Sequence, residues 1–317
     1  MKIGIYTPDG ISPTEGGAYG YYFQLLSELL SNETKHQFVL LVGNNSQNYK
    51  HLFNREHSSI NISSRSDAKL FCWKLLSLIG NNFSMKQFEG YFKNLYEQRL
   101  TKKLHDQGIQ FIYNLPTGEY LTRDIPFLAN VWDMGHRNVS HFPEISANGE
   151  FEKREFYCNN ILPRAALIAT ESKAGKEDVE FYFRVKPEKI IVLPLFPGNV
   201  INVYVSKEEQ IQWLKSKKLT QYSYLFYPAQ FWAHKNHINL LKAIALLKQK
   251  FNITVPLVLS GSDKGNLKHI QKTISDLHLQ NHVHCIGFVS EKEIRILYEN
   301  ALALIMPTFL GPTTMPI

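Results

Sequence analysis

Apolar and polar positions follow two rhythms along the chain: short continuous apolar runs, and longer stretches with helical spacing. KIGIYT (Lys2–Thr7) reads as a buried first strand. AYGYYFQLLSELL (Ala18–Leu30) places Tyr22, Leu25, Leu26, Leu29 and Leu30 on one helical face. QFVLLVG (Gln37–Gly43), IQFIYN (Ile109–Asn114), PFLANVWD (Pro126–Asp133), AALIAT (Ala165–Thr170) and KIIVLP (Lys189–Pro194) read as further strands, with a helix over KAGKEDVEFYF (Lys173–Phe183). Strands alternating with helices imply an α/β fold whose parallel sheet is covered on both faces.

PLFPGNVINV (Pro194–Val203) is punctuated by Pro and Gly and reads as a linker. The rhythm then restarts. SYLFYPAQ (Ser223–Gln230) is a strand. NHINLLKAIALLKQKF (Asn236–Phe251) is a helix with Ile238, Leu241, Ile244, Ala245 and Leu247 or Lys248 around its inner face. PLVLSG (Pro256–Gly261), a helix near Leu267–Leu277, HVHCIGFV (His282–Val289), a helix near Glu291–Asn300 and ALALIMP (Ala301–Pro307) follow. The pattern predicts two doubly wound α/β domains, 1–200 and 201–317. The run after the last strand, Thr308–Pro316, has loop composition and no helix follows it, so the second domain is expected to be incomplete.

Composition narrows the class. With 44% apolar and 20% charged residues the chain is an ordinary globular protein, neither disordered nor collagen-like. No apolar run approaches the ~18 residues of a membrane helix; KLLSLIG (Lys74–Gly80) is far shorter. MKIGIYTPDG has no h-region and no small-residue cleavage site, so no signal peptide is expected. Cys72, Cys158 and Cys285 have neither metal-ligand spacing nor the pattern of a disulfide framework, which points to a cytoplasmic setting. Net charge is +7, and from Ile201 onward thirteen basic residues face seven acidic ones. No nucleic-acid motif accompanies that excess. It suits a pocket for a phosphorylated small molecule, or simply a solubilising surface.

Residues 69–104 form a basic, aromatic insertion with seven basic and two acidic residues. From Phe88 the apolar positions 88, 91, 92, 95, 96, 100 and 104 keep helical spacing. Such a helix can lie on an anionic membrane, here the inner face, as a peripheral contact. Equally it can pack on its own domain with a solvated basic face, because periodicity does not say what an apolar stripe covers.

Open α/β sheets bind ligands beyond the carboxyl ends of their strands, so the loops there hold the candidate chemistry. Gly16 and Gly17 precede a helix start, where a backbone can approach an anion; a plain flexible turn reads the same way. NVWDMGHRNVSHFPE (Asn130–Glu144) gathers Asp133, His136, Arg137 and His141, and His136 suits donation to a sugar hydroxyl or phosphate. A loop knitted by its own polar groups is the alternative, and no second ligand cluster supports a metal. YPAQFWAHKNH (Tyr227–His237) places Lys235 at a helix start with Asn236 as a suitable cap. A Lys there adds charge to the positive helix end, which is costly unless an anion rests on it. The terminal loop, Thr308–Pro316, offers amides that suit a phosphate or sugar.

In this order the pieces resemble the retaining glycosyltransferases of family 4, with the GT-B fold, over essentially the whole chain. The most specific parts are YPAQFWAHKNHINLLKAI, HVHCIGFVSEKEIRILYENALALIMPT and GPTTMPI. The resemblance implies two Rossmann-like domains facing a cleft, a nucleotide sugar on the second and a glycan or lipid-linked acceptor on the first, with no nucleic acid and no metal cofactor. It implies a donor site of Gly16, Gly17, Gln230, Lys235, Gly261, Phe288, Val289, Pro312, Thr313 and Thr314, with Lys235, Asp133 and His136 in catalytic roles. The family's Arg-x4-Lys pair reads Gln230 and Lys235 here. Its His-Asp dipeptide reads Trp132–Asp133. Gly311 stands where the family has a first Glu, and the second Glu would fall at position 319. The implied reaction moves a sugar from a nucleoside diphosphate to a hydroxyl with retention, in polysaccharide or lipid-linked glycan synthesis. The alternative is a non-catalytic remnant or nucleotide-binding module; a GT-B epimerase or phosphorylase is a third class.

Overall fold

The computed structural model describes residues 1–7, 17–43, 58–62 and 83–310, with the side chains of 83–93 outside the description. Among these residues the chain forms two compact units that are not contiguous in sequence. One holds residues 1–7, Leu25–Met134 and Lys153–Pro194; the other holds 17–24, Gly135–Glu152 and the chain from Leu195 onward.

The first unit is built on β1 (Lys2–Tyr6), β2 (Gln37–Val42), β3 (Ser59–Asn61), β4 (Phe111–Asn114), β5 (Phe127–Val131), β6 (Leu167–Thr170) and β7 (Ile190–Val192), in the order β3-β2-β1-β4-β5-β6-β7. Every pairing is parallel. Ile3 to Tyr6 pair with Phe38 to Leu41 on one side and Phe111 to Asn114 on the other, so the strand order reverses at β1. The strands read as near-continuous apolar runs because both faces are covered. Val39, Leu41, Ile112, Phe127, Val131 and Ile168 meet Leu100, Leu104, Tyr157 and Val179 from the helices in one core.

The helix Phe83–Asp106 decides between the two readings of the basic insertion for the part that is described. From Asn94 on, its apolar stripe faces the core: Leu100 and Leu104 are buried, and Tyr96 packs against them while its hydroxyl donates to the Ile62 carbonyl at 2.8 Å. Glu97, also buried, accepts from Arg123 through N at 2.7 Å, Nε at 3.0 Å and Nη2 at 2.8 Å. The Thr101 and Thr122 hydroxyls meet at 2.6 Å. These contacts occupy the face expected to cover a membrane, so over 94–104 that expectation is corrected. Residues 69–82 and the side chains of 83–93 lie outside the described residues. Among the described residues, no helix is long and apolar enough to cross a membrane.

The second unit carries β8 (Leu225–Pro228), β9 (Leu257–Ser260), β10 (Val283–Gly287) and β11 (Ala303–Leu304), again all parallel, in the order β10-β9-β8-β11. Period-two alternation is visible side by side. Tyr227, Leu257 and Leu259 point into a core with the helices His237–Phe251 and Leu267–Asp276. Tyr224, Phe226 and Val258 point the other way, against Leu214 of Lys207–Ser216 and Ile296 and Leu297 of Glu291–Asn300. The inner face of His237–Phe251 is His237, Leu240, Leu241, Ile244 and Ala245. His237 and Leu240 share the inward face with the expected Leu241, Ile244 and Ala245, while Ile238 is only partly buried.

Candidate active site

In the second unit the strand order reverses at β8, which has β9 on one side and β11 on the other. Ligands bind open α/β sheets at such a reversal, beyond the carboxyl ends of the strands. The loop after β8 runs from Ala229 to Asn236. Phe231 anchors it in the core at 1% exposure, and its N–H donates to the Ser262 carbonyl at 3.0 Å. Trp232 Nε1 donates to Gln230 Oε1 at 3.0 Å. A single 3₁₀ turn, Ala233–Lys235, follows and is tied down by the Tyr227 hydroxyl, which donates to the Lys235 carbonyl at 2.8 Å.

Asn236 ends that turn in the left-handed region, φ 60° and ψ 31°, a conformation Asn tolerates better than most residues. It occupies the cap position of the next helix but makes no side-chain cap bond; its Nδ2 donates instead to the Pro307 carbonyl at 2.8 Å. The expected capping role is thereby corrected: the carboxamide ties the β8 loop to the β11 loop. Lys235 sits one turn ahead of the helix rather than in its first turn. That first turn holds no acidic residue of its own to complement the positive end of the helix dipole. His237, fully buried between the rings of Tyr227 and Phe231 at 4.9 and 5.3 Å, makes no hydrogen bond through either ring nitrogen. Burial, then Lys235, then His234 push its pKa down to about 4, so it is neutral at pH 7.

Other residues expected at the donor site lie on the neighbouring loops. Gly261 follows β9 with φ 155°, and a Cβ there would meet the Ala229 carbonyl oxygen at 2.3 Å, so only glycine fits. Its N–H donates to the Gly287 carbonyl at 2.9 Å, which aligns the loops after β8, β9 and β10. Phe288, next in the chain, is half exposed, while Val289 packs inward against the Trp213 side of the core. Lys264 lies over the Trp232 ring at 5.9 Å. Gly17 is exposed at the first position of the helix Gly17–Ser31. Gly16, Pro312, Thr313 and Thr314 lie outside the described residues.

Two residues that motif reading does not single out tie this site together. Glu144, in the short helical turn Pro143–Ser146, accepts through Oε1 from the His234 backbone N–H and from His234 Nδ1, both at 2.8 Å. Burial alone would raise Glu144, but the His234 N–H, its own N–H and the imidazole outweigh it and hold the carboxyl below the ordinary range. The His234 carbonyl in turn accepts from Phe309 N at 2.9 Å and Thr308 Oγ1 at 3.3 Å. His136 belongs to the same unit but is turned inward at 1% exposure, edge-on to Phe151 at 5.8 Å, so it is not presented for direct contact with a ligand.

In the first unit, Asp133 stands just beyond β5 in an ion pair with Arg154 Nη1 at 2.7 Å. Glu171 follows β6. Burial raises its pKa, partly offset by its own N–H and by Ser172 Oγ at 3.1 Å, and the charges of Asp133 and Asp178 raise it further. Among the described residues, no three His, Cys, Asp or Glu side chains gather as a metal site.

The sequence model of the family described as glycosyl transferases group 1 matches residues 208–316. No curated protein sequence matches the chain. Similar solved structures include a glycosyltransferase from Rickettsia africae, with TM-score 0.62, 14% identity, and coverage of 97% of this chain and 73% of that one. Anabaena Alr3699/HepE in complex with UDP and glucose gives 0.61, 14%, 97% and 74% in the same order. A point mutant of S. aureus TarM in complex with fondaparinux, alpha-GlcNAc-glycerol and UDP gives 0.58, 10%, 97% and 81%. These likenesses establish the fold as GT-B, as expected from the sequence.

Proposed function

We propose that this chain is a retaining glycosyltransferase that moves a sugar from a nucleoside-diphosphate sugar to a hydroxyl of a glycan or lipid-linked acceptor. The observation that carries the reading is the loop after β8. It lies within the segment matched to glycosyl transferases group 1 and sets Lys235 just ahead of a helix whose first turn has no acidic residue. The similar structures solved with UDP support a nucleotide donor.

In this reading the bond from the sugar C1 to the diphosphate oxygen breaks with its electron pair leaving on the phosphate, and the acceptor hydroxyl oxygen forms the new bond at C1 as its proton passes to the departing diphosphate. The developing charge falls where Lys235 and the first amides of His237–Phe251 can meet it. The reading calls on no metal. Gln230 supplies a neutral contact where the resembled family has Arg; a neutral hydrogen bond is about half as strong as a charge-assisted one. Gly261 lets the diphosphate side of the donor approach the backbone, and Phe288 with Val289 borders the base. Asp133 orients a hydroxyl on the acceptor side, while the buried His136 supports the turn that carries Arg137. The setting we assign is glycan synthesis in the cytoplasm.

The test is transfer from a panel of UDP- and GDP-sugars to hydroxyl acceptors. Lys235→Ala is expected to cut turnover at least tenfold, about 1.4 kcal/mol of barrier. Unchanged turnover removes Lys235 from the mechanism. Nucleotide binding without any transfer favours a binding module instead.

A further inference from the structure

Glu144 and His234 are 90 positions apart, yet one carboxylate oxygen takes both the backbone and the ring N–H of His234. Their side chains are 9% and 11% exposed. A carboxylate sequestered this far normally has its charge matched, and here, beside its own N–H, the match comes from the residue before Lys235. From His234 the connections continue outward. Its carbonyl holds Phe309 N and Thr308 Oγ1 beyond β11, and the Phe142 ring meets both His234 at 6.2 Å and Phe309 at 5.4 Å. The 142–144 segment thus rests on both loops of the strand-order reversal.

We propose that Glu144 is a positioning residue for the donor site: it fixes the Ala233–Lys235 turn, and through it the Thr308–Phe309 backbone, so that Lys235 is held ready for a diphosphate. This rests on the donor reading above. Glu144 itself need not touch the donor. A single 3₁₀ turn has little rigidity of its own, and its neighbour Asn236 is committed to Pro307. Without Glu144, the backbone N–H and Nδ1 of His234 both lose their acceptor.

The experiment compares wild type, Glu144→Ala and Glu144→Gln by calorimetric titration with UDP and with GDP, alongside amide hydrogen exchange. Glu144→Ala is expected to raise the Kd for the bound nucleotide about tenfold. It should also lose protection at His234 and Phe309 while β8 and β9 stay protected. Glu144→Gln, which keeps a carboxamide oxygen for the same two donors, should recover to within about threefold. If Glu144→Ala binds within twofold of wild type, or only its thermal midpoint falls, Glu144 is a structural latch and the proposal is overturned. If Glu144→Ala does not fold, Glu144→Gln decides alone: a tenfold loss there makes charge, not hydrogen-bond geometry, the operative feature and overturns the positioning account. Wild-type protein that binds neither UDP nor GDP overturns the donor reading itself and this role with it, an outcome separate from any difference between variants.

Discussion

In the seven-stranded sheet the chain leaves β5 into Asp133 and β6 into Glu171; in the four-stranded sheet it leaves β8 into Gln230, His234 and Lys235. The two sheets share one winding: β3-β2-β1-β4 in the first is matched by β10-β9-β8-β11 in the second. Yet their carboxyl ends treat a carboxylate in opposite ways. Glu171 is pushed up by burial and by neighbouring acids. Glu144 is also buried, but hydrogen bonds from His234 and its own N–H hold it down. Beyond the first sheet stand Asp133, paired with Arg154, and Glu171; beyond the second stand Gln230, His234 and Lys235, with Glu144 bound to His234. The fold supplies the place, and the residues at the strand ends decide what it can bind.

Glycine gives the sharpest way to break this comparison. Gly261→Ala would drive its Cβ into the Ala229 carbonyl, which cannot yield without moving the β8 loop. A cost above about 3 kcal/mol by denaturant unfolding is expected, with loss of nucleotide binding. Gly4→Ala, in β1, meets the end of the Leu41 side chain at 2.6 Å instead. Overpacking against a side chain should cost about 1–3 kcal/mol, with binding kept. Equal costs would mean the β8–β9 loop contact is not fixed.

His237 tests the electrostatics of the second edge. Its pKa in the folded protein, about 4, lies below the ordinary 6.5, so the unfolded chain takes up the proton first as pH falls. The stability held above pH 6.5 is lost progressively down to pH 4, by about 3 kcal/mol. His237→Phe should flatten that part of the acid limb; an unchanged limb would mean that His237 is not held neutral. The smallest effect lies on the first edge. A carboxyl with a raised pKa is favoured protonated, so its ionisation weakens the fold as pH rises through the ordinary carboxylate range. Glu171→Gln should therefore stabilise at pH 7 by under about 1 kcal/mol and change nothing near pH 3. A loss of stability at pH 7 would show that Glu171 is wanted in its charged form.

Much of this was legible in the residues themselves. Strands β8 and β9 are apolar runs closed by turn residues, and the helix Lys173–Phe183 falls where its spacing places it. Strand β3 has three residues and a single buried side chain, Ile60, so it carries no periodic signal. The helix Lys207–Ser216 is announced less by spacing than by its start, where Ser206 and Glu209 form a reciprocal capping box. His237 is hidden by its type, since a histidine does not read as a core residue. The Glu144–His234 contact has no local signature, because two polar residues 90 positions apart meet only when the fold is complete. Lys235 was legible as a charge beside a helix end, and the structure places it just before the cap residue Asn236, whose side chain is spent on Pro307.

The measurement that tests the central claim most directly is amide hydrogen exchange across the whole chain, with and without saturating UDP or GDP. The account predicts slowed exchange at 230–237, around Gly261 and Gly287, and at 305–310, with the residues after β5 and β6 unchanged. Slowing confined to the residues after β5 and β6, or no slowing anywhere, would contradict it.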